Sequence, residues 1–120
     1  MKIDEVKKAI ELKRKSGIYL ILHTLNLKGY VGSSINLFVR LNAHFIDLKQ
    51  NRHRNKHLQN SWNKYEKDNF EVYIIEYCEK DKLFEKEQFY VNLYETHYSK
   101  FGYNLAFIEK GNYGYNFTEK

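Results

Sequence analysis

Residues 17–44 hold the pattern that most constrains the fold of this chain. Ile18–Leu22 is an unbroken run of apolar and aromatic residues, which predicts a β-strand. A polar break at residues 26–29 is typical of a turn, and a second short strand then ends at Gly32. The segment therefore predicts a β-hairpin that leads directly into a helix.

Two tyrosines, Tyr19 and Tyr30, lie on the two strands of this hairpin. Because side chains alternate between the faces of a strand, a connecting loop with an even number of residues places both phenols on one face. The following helix extends to about residue 48 and carries Arg40 and His44 one turn apart, at the margin of its apolar stripe. We expect a guanidinium and an imidazole beside the two phenols; ordinary strand tyrosines are the alternative.

The rest of the chain predicts a small α+β fold (order α-β-β-α-α-β-α), in which helices flank an antiparallel sheet of about three strands. The other expected elements are helices over residues 3–15, 55–66 and about 82–96, the last capped by Asp81, and a strand over residues 70–77. We expect one domain over residues 1–120, with residues 1–15 as an N-terminal helical extension and residues 108–120 as an irregular tail or the start of a linker.

Glu87 falls in the middle of the apolar stripe of the last helix, four residues after Leu83 and three before Tyr90. Burial of an unpaired carboxylate is costly, so such groups are paired, protonated or bound to a cation. Helical periodicity alone therefore makes Glu87 a candidate site residue. A structural ion pair with a nearby lysine or arginine is the alternative.

The formal net charge is +5, and the excess is concentrated in residues 49–64, which contain no acidic residue. This basic segment predicts a phosphate-binding surface, with a merely solubilising surface as the alternative. His53 and His57 have a spacing that could hold zinc on a helix, but no further ligands cluster near them, which favours a surface or phosphate-facing role. The candidate DNA contacts are Lys49, Arg52, His53, Arg54, Lys56 and His57.

No apolar run approaches the length of a membrane span, and the charged N-terminus lacks a hydrophobic signal segment. We therefore expect an intracellular, unsecreted protein. Its richness in Lys, Asn, Tyr and Phe hints at an AT-rich genome such as that of a phage or organelle. Cys78 cannot form an internal disulfide, because it is the one cysteine in the sequence.

Several motifs in order resemble the GIY-YIG nuclease superfamily, most closely the catalytic domain of phage and organellar intron homing endonucleases. The resemblance covers residues 16–107. It is carried by Gly17-Ile18-Tyr19, Tyr30-Val31-Gly32, Ser33, Arg40, His44, Glu87 and Gly102-Tyr103-Asn104.

The resemblance implies a DNA endonuclease that requires Mg²⁺ or Mn²⁺, with Glu87 as the metal ligand and Arg40 on the scissile phosphate. It makes Tyr19 the leading general base, with Tyr30 positioning the water or sharing that role. His44 would take the proton of the phenol or contact phosphate. The residues alone leave open which of these three side chains removes the proton of the water.

Gly32, Ser33 and Asn104 are expected to have structural roles near the site. Val39 stands where some relatives carry a basic residue, which removes an auxiliary phosphate contact. The expected partner is double-stranded DNA, bound by a monomer or a transient dimer. The chain leaves no room for a separate recognition region, so we expect either an excised catalytic fragment or a small stand-alone nuclease. A non-cleaving module that binds DNA or another partner is the alternative function.

Overall fold

The computed structural model describes residues 1–65, 67–94 and 102–103, and the elements below are those of these residues. Three strands form one antiparallel sheet in the order β2-β1-β3. The strands are β1 (Gly17–His23), β2 (Gly29–Ser34) and β3 (Phe70–Tyr77). The α-helices are α1 (Ile3–Val6), α2 (Leu37–Lys49), α3 (Lys56–Tyr65) and α4 (Leu83–Leu93). The predicted α+β class is confirmed.

The register of the β1–β2 hairpin places both tyrosines on one face. Tyr19 lies opposite Gly32, and Ile21 lies opposite Tyr30. Because Tyr19 and Ile21 are two residues apart on β1, their side chains share a face, and Tyr30 shares it with them. The last pair before the turn joins Leu22 to Gly29, so the connection has an even number of residues, as expected when both phenols lie on one face. Strand β2 continues past Gly32, where the sequence predicted its end.

Each face of the sheet carries its own hydrophobic core. The face with Tyr19 and Tyr30 packs against α1, α2 and α3 through a large cluster that includes Leu41 and Trp62. The opposite face packs against α4. The fully buried residues of that second cluster are Ile18, Val31, Leu83 and Val91. Helix α4 therefore approaches the hairpin from the side opposite the two phenols.

The prediction of one helix over residues 3–15 is wrong. Helix α1 ends at Val6, and a short 3-10 turn follows at Ile10–Leu12. Ile10, in the middle of the predicted helix, is 64% exposed. Because the N–H of Val72 donates to the carbonyl of Met1, the segment starts along the edge of β3 and has to turn back to reach β1. That path leaves no room for a straight four-turn helix.

The remaining helices agree with the predictions except at the start of α4. A 3-10 turn at Lys80–Lys82 contains Asp81 and leads into α4, whose N-terminus has no side-chain cap. Asp81 is therefore not the predicted cap. The expected helix end at residue 96 and the tail over residues 108–120 lie outside the described residues. Within the described ranges, no helix is long and apolar enough to cross a bilayer.

Candidate active site

The ring of Tyr19 lies directly over the backbone of Gly32. A Cβ atom built on Gly32 would collide with the phenol oxygen and the adjoining ring carbons of Tyr19. Tyr19 is fully buried in this position. The missing side chain of Gly32 is thus what allows the phenol to cross the hairpin, which agrees with the structural role expected of this glycine.

Helix α2 brings Arg40 to the two phenols. The helix starts at the cap residue Asn36, whose Oδ1 accepts the N–H of Val39 at 3.2 Å. Arg40 follows in the first turn, is only partly exposed, and forms hydrogen bonds with both Tyr19 and Tyr30. The predicted convergence of two phenols and one guanidinium is present.

His44 lies one turn further along α2, and both of its ring nitrogens are engaged. Nε2 lies 2.5 Å from Tyr19 Oη, and Nδ1 lies 2.7 Å from Nε2 of His53. The imidazole is 3% exposed. Both ring nitrogens of His44 are thus already in use within the protein. Tyr19 and Tyr30 are as deeply buried as His44, so burial does not decide which of the three candidates is the general base.

His53 is not the surface residue that the sequence predicted. It is 5% exposed and packs against His44, since the loop before α3 folds inward onto α2. It also lies outside α3, which begins at Lys56, so His53 and His57 do not have the helical arrangement that a zinc site would need. The assignment of His53 as a DNA contact was wrong because burial in this loop comes from tertiary packing that local periodicity does not report.

The environment keeps both imidazoles neutral. Burial lowers the pKa of His44 well below its usual value, and the positive charge of Arg40 lowers it further. The same two causes, again with burial the larger, lower the pKa of His53 to about 4. At neutral pH the pair is therefore uncharged.

Glu87 reaches the hairpin from α4, on the other face of the sheet. It is fully buried, and its Oε1 accepts a hydrogen bond from Ser33 Oγ. Its Oε2 is buried without a hydrogen-bond partner. Burial raises the pKa of Glu87 to about 8, although the bond from Ser33 and the charge of Arg40 act in the opposite direction. Among the ion pairs of the described residues none involves Glu87, so the alternative of a structural ion pair is not supported.

The two phenols are harder to ionise than the sequence suggested. Burial raises the pKa of Tyr19 above the usual range of a phenol and raises that of Tyr30 to about 12. Arg40 favours the phenolate in both cases, as expected, but burial outweighs it. In the free domain both groups are therefore phenols, and ionisation requires further positive charge nearby.

The donor set fits a hard divalent cation better than zinc. The buried Oε2 of Glu87 is a carboxylate oxygen with no other partner, which is the type of ligand that Mg²⁺ and Mn²⁺ prefer. Across the residues that the structure describes, no three His, Cys, Asp or Glu side chains gather in one place. A cation held by Glu87 would thus keep waters or phosphate oxygens as its other ligands, as Mg²⁺ usually does.

The other candidate DNA contacts lie at the end of α2, in the following loop and at the start of α3. Lys49, Arg52, Arg54 and Lys56 are exposed, and His57 is partly exposed. Arg52 forms a 3.0 Å ion pair with Asp47. These five basic side chains are therefore accessible, unlike that of His53, and their role in binding DNA stays a prediction.

Sequence reasoning missed Asn55, which ties the C-terminal motif to the site. Asn55 Oδ1 accepts the N–H of Leu58 at 3.0 Å, and its Nδ2 donates to the carbonyl of Tyr103 at 2.5 Å. The N–H of Tyr103 in turn donates to the carbonyl of Gly29 at 2.9 Å. An asparagine at the start of a predicted helix signals a cap, but its second bond joins residues 48 apart and has no local signal. Asn104 lies outside the described residues.

Comparison with known proteins agrees with this geometry. The family model of the GIY-YIG catalytic domain matches residues 15–104. "Intron-associated endonuclease 1" of Enterobacteria phage T4 is 43% identical over 94 residues, which cover 77% of this chain and 37% of that protein. "Probable intron-encoded endonuclease 1" of Neurospora crassa is 31% identical over 122 residues, which cover 98% of this chain and 39% of that protein. The chain thus spans less than half the length of either relative.

Solved structures of the catalytic domain of the homing endonuclease I-TevI are also similar. A point mutant superposes with a TM-score of 0.71 at 39% identity, covering 81% of this chain and 99% of that one. A second structure of the same domain gives a TM-score of 0.70 at 40% identity, covering 77% and 99%. Fold and site together define the class of GIY-YIG endonuclease domains. The chain belongs to the GIY-YIG family, as the resemblance predicted.

The contact between Tyr19 and Gly32 predicts a measurable coupling. Gly32→Ala should lower the free energy of unfolding by about 1–3 kcal/mol, because the added methyl must displace a buried ring. In a Tyr19→Leu background the same change should cost less than half as much, since the colliding atoms are gone. Urea unfolding of the four proteins of this double-mutant cycle measures the coupling. Ser34→Ala is the control that should be additive with Tyr19→Leu; equal costs of Gly32→Ala in both backgrounds would contradict the contact.

The raised pKa of Glu87 predicts a pH-dependent stability. Since folding raises this pKa from 4.5 to about 8, the unfolded chain ionises first as the pH rises. The contribution of the neutral carboxyl is therefore complete below about pH 4.5 and is lost towards pH 8. In metal-free buffer, the stability of the wild type relative to Glu87→Gln should fall by roughly 3–4 kcal/mol between pH 5 and pH 8. Glu85→Gln, on the exposed face of the same helix, is the matched control; a flat difference for Glu87→Gln would refute the prediction.

Proposed function

We propose that this domain is a DNA endonuclease that hydrolyses phosphodiester bonds with the help of Mg²⁺ or Mn²⁺. The observation that carries the proposal is that two phenols and a guanidinium meet on one face of the hairpin, while a buried carboxyl that joins no ion pair among the described residues reaches the hairpin from the other face. The similar proteins are named as endonucleases, and the part that this chain matches is a catalytic domain. That support concerns the domain, since the chain spans only part of each relative.

Arg40 is the group suited to hold the scissile phosphate. Its guanidinium offers five N–H donors in a planar fork, enough to keep contact with the phenols while binding phosphate oxygens. Partial burial strengthens such a contact, because less water screens the charges. Arg40 would thereby bind the substrate next to Tyr19 and stabilise the extra negative charge that develops on the phosphate.

Tyr19 is the preferred acceptor of the proton of the attacking water, with Tyr30 orienting that water. A phenolate is required for this step, and its formation is favoured by Arg40 and would be favoured further by a divalent cation held by Glu87. When bound, that cation would supply Lewis-acid stabilisation of the leaving 3′ oxygen. Ser33 keeps the carboxyl of Glu87 turned towards the hairpin.

The basic segment over residues 49–64 would follow the backbone of double-stranded DNA on the same side as α2 and α3. Binding of this kind carries little sequence information, because phosphates are the same at every position. One site cuts one strand at a time. Cleavage of both strands would therefore take two successive nicks or a transient dimer on DNA.

Cleavage of supercoiled plasmid tests the site. The wild type should nick the plasmid with Mg²⁺ and stop when the metal is chelated. Arg40→Ala and Glu87→Ala should each lower the nicking rate by about 100-fold or more, a loss typical of removing one group that stabilises transition-state charge. Arg14→Ala and Glu85→Gln, both at exposed positions, are the controls that should retain activity. Persistent nicking by both site variants would defeat the assignment, and a wild type that binds without cutting would favour the non-cleaving alternative.

Salt dependence tests the basic surface separately. The slope of log affinity against log salt should weaken by about 0.9 for each phosphate contact that is lost. Metal-free binding measurements on Lys49→Ala, Arg54→Ala and Lys56→Ala should show this reduction. Lys82→Ala, an exposed lysine just before α4, should leave the slope unchanged. If all four variants kept the slope of the wild type, the surface would not be a phosphate contact.

A further inference from the structure

A continuous line of buried hydrogen bonds leads from the start of α3 to the phenol of Tyr19. The backbone N–H of Asn55 donates to Nδ1 of His53 at 3.0 Å. Nε2 of His53 lies 2.7 Å from Nδ1 of His44, whose Nε2 lies 2.5 Å from Tyr19 Oη. All four residues are buried. Solvent is thus kept away from the two imidazoles, and each ring finds its hydrogen-bond partners within the line.

The two imidazoles meet edge to edge. Their planes differ by only 16°, and their centres are 4.9 Å apart, which is close to the 2.7 Å between the bonded nitrogens plus the two ring radii. The rings therefore lie almost in one plane with the bonded nitrogens between them. This is the arrangement of a straight N–H···N hydrogen bond and not of face-to-face stacking.

The first donor in the line is the backbone N–H of Asn55. The carbonyl of Asn55 accepts the N–H of Gln59 at 3.0 Å, as part of the first turn of α3, so it is the N–H of Asn55 that faces His53. The backbone of His53 is itself held, because its N–H donates to Gln59 Oε1 at 2.9 Å. A backbone N–H can only donate. Nδ1 of His53 must therefore be an acceptor and carry no proton.

The direction of every later bond follows from this first one. A neutral imidazole has one N–H and one bare nitrogen. With Nδ1 of His53 bare, its proton is on Nε2 and is donated to Nδ1 of His44. The proton of His44 is then on Nε2 and is donated to Tyr19 Oη. These tautomers are assigned from the hydrogen-bond partners.

The charges around the pair keep it neutral, as this reasoning requires. Arg40 faces both rings, Arg54 adds positive charge near His53, and the negative charge of Asp47 opposes them. The phenols of Tyr19 and Tyr30 complete the surroundings of His44. The N-terminus of α3, the positive end of the helix dipole, also points towards His53. Protonation of either ring would thus add a cation to a site that already holds Arg40.

We propose that Asn55 and His53 are positioning residues that hold His44 as a hydrogen-bond donor to Tyr19. The oxygen of Tyr19 then receives bonds from both His44 and Arg40, which prepares it to carry negative charge. The proton of the phenol points away from His44. This inference rests on the proposed function, in which Tyr19 accepts a proton from water, and it assigns to His44 the stabilisation of phenolate in place of proton removal.

Each proton that Tyr19 loses or gains in the proposed reaction has a defined source and destination. Before attack, the phenol loses its proton to solvent on the substrate side. The phenolate then takes one proton from the attacking water as the new P–O bond forms and the bond to the 3′ oxygen breaks. The leaving oxygen gains a proton from solvent, and Tyr19 ends the cycle as a phenol with His44 unchanged.

Nitrogen NMR of the free, metal-free wild type tests the tautomers directly. ¹⁵N-edited spectra of the histidine rings at about pH 7.5 distinguish protonated from bare ring nitrogens. Both His44 and His53 should have a protonated Nε2 and a bare Nδ1. A proton on Nδ1 of His44, or a doubly protonated ring, would overturn the proposal even if the protein cleaves DNA. An inactive protein with the expected tautomers would instead refute the proposed function alone.

Variants of His53 link the tautomer to catalysis. His53→Leu removes the donor to His44, so Nδ1 of His44 should gain a proton and kcat for nicking should fall by about 10- to 1,000-fold, in line with the loss caused by a wrong imidazole tautomer. His53→Gln keeps an N–H donor and should recover at least about ten-fold of that loss. The KM for DNA should stay within about two-fold in both, since neither change touches a phosphate contact.

His23 provides the matched control. It is a buried histidine outside the site, and its Nδ1 also accepts backbone N–H groups, from Leu25 and Asn26 at 3.2 Å each. His23→Gln should leave both the His44 tautomer and kcat as in the wild type. Equal activities of His53→Leu and His53→Gln, with the His44 tautomer unchanged in both, would contradict the proposal.

Discussion

Tyr19 is packed against Gly32 in a hairpin whose register leaves no other place for the phenol. A shift of one residue in this pairing would put Tyr19 and Tyr30 on opposite faces of the sheet and carry the glycine away from the ring, because side chains alternate along a strand. The register therefore determines which side of the sheet receives α2 and, with α2, the positions of Arg40 and His44. The pairing of the hairpin strands therefore places the side chains of the site, and the polar contacts among them follow from that placement.

Burial gives the polar groups of this site their properties. An imidazole, a phenol or a carboxyl that loses water becomes harder to charge, and each such group needs a hydrogen-bond partner to remain inside. His44, His53 and Tyr19 satisfy one another in a line, while Glu87 is left with one bare oxygen on the other face of the sheet. These groups are thus neutral in the folded domain, and a cation bound at Glu87 Oε2 would favour ionisation of that carboxyl and of Tyr19.

The sequence predicted the parts of the fold that local patterns report. The hairpin, α2, α3 and β3 follow from runs and periodicities, and Glu87 was found because a carboxylate interrupts an apolar stripe. His53 was misread as a surface residue, since nothing local shows that its loop packs on α2. The prediction of one helix over residues 3–15 was wrong for a related reason. The pairing of Met1 with β3 overrides the helical periodicity of that segment. Long-range contacts account for these errors.

The central claim is that the phenols, Arg40 and Glu87 meet around one divalent ion. Titration of the ¹⁵N-labelled protein with Mn²⁺, observed as paramagnetic broadening of backbone amide signals, tests it most directly. The account predicts broadening centred on Glu87, Ser33 and Gly32, and its loss in Glu87→Gln. Broadening centred on the exposed acids around Asp81, or a pattern that Glu87→Gln leaves unchanged, would contradict the account.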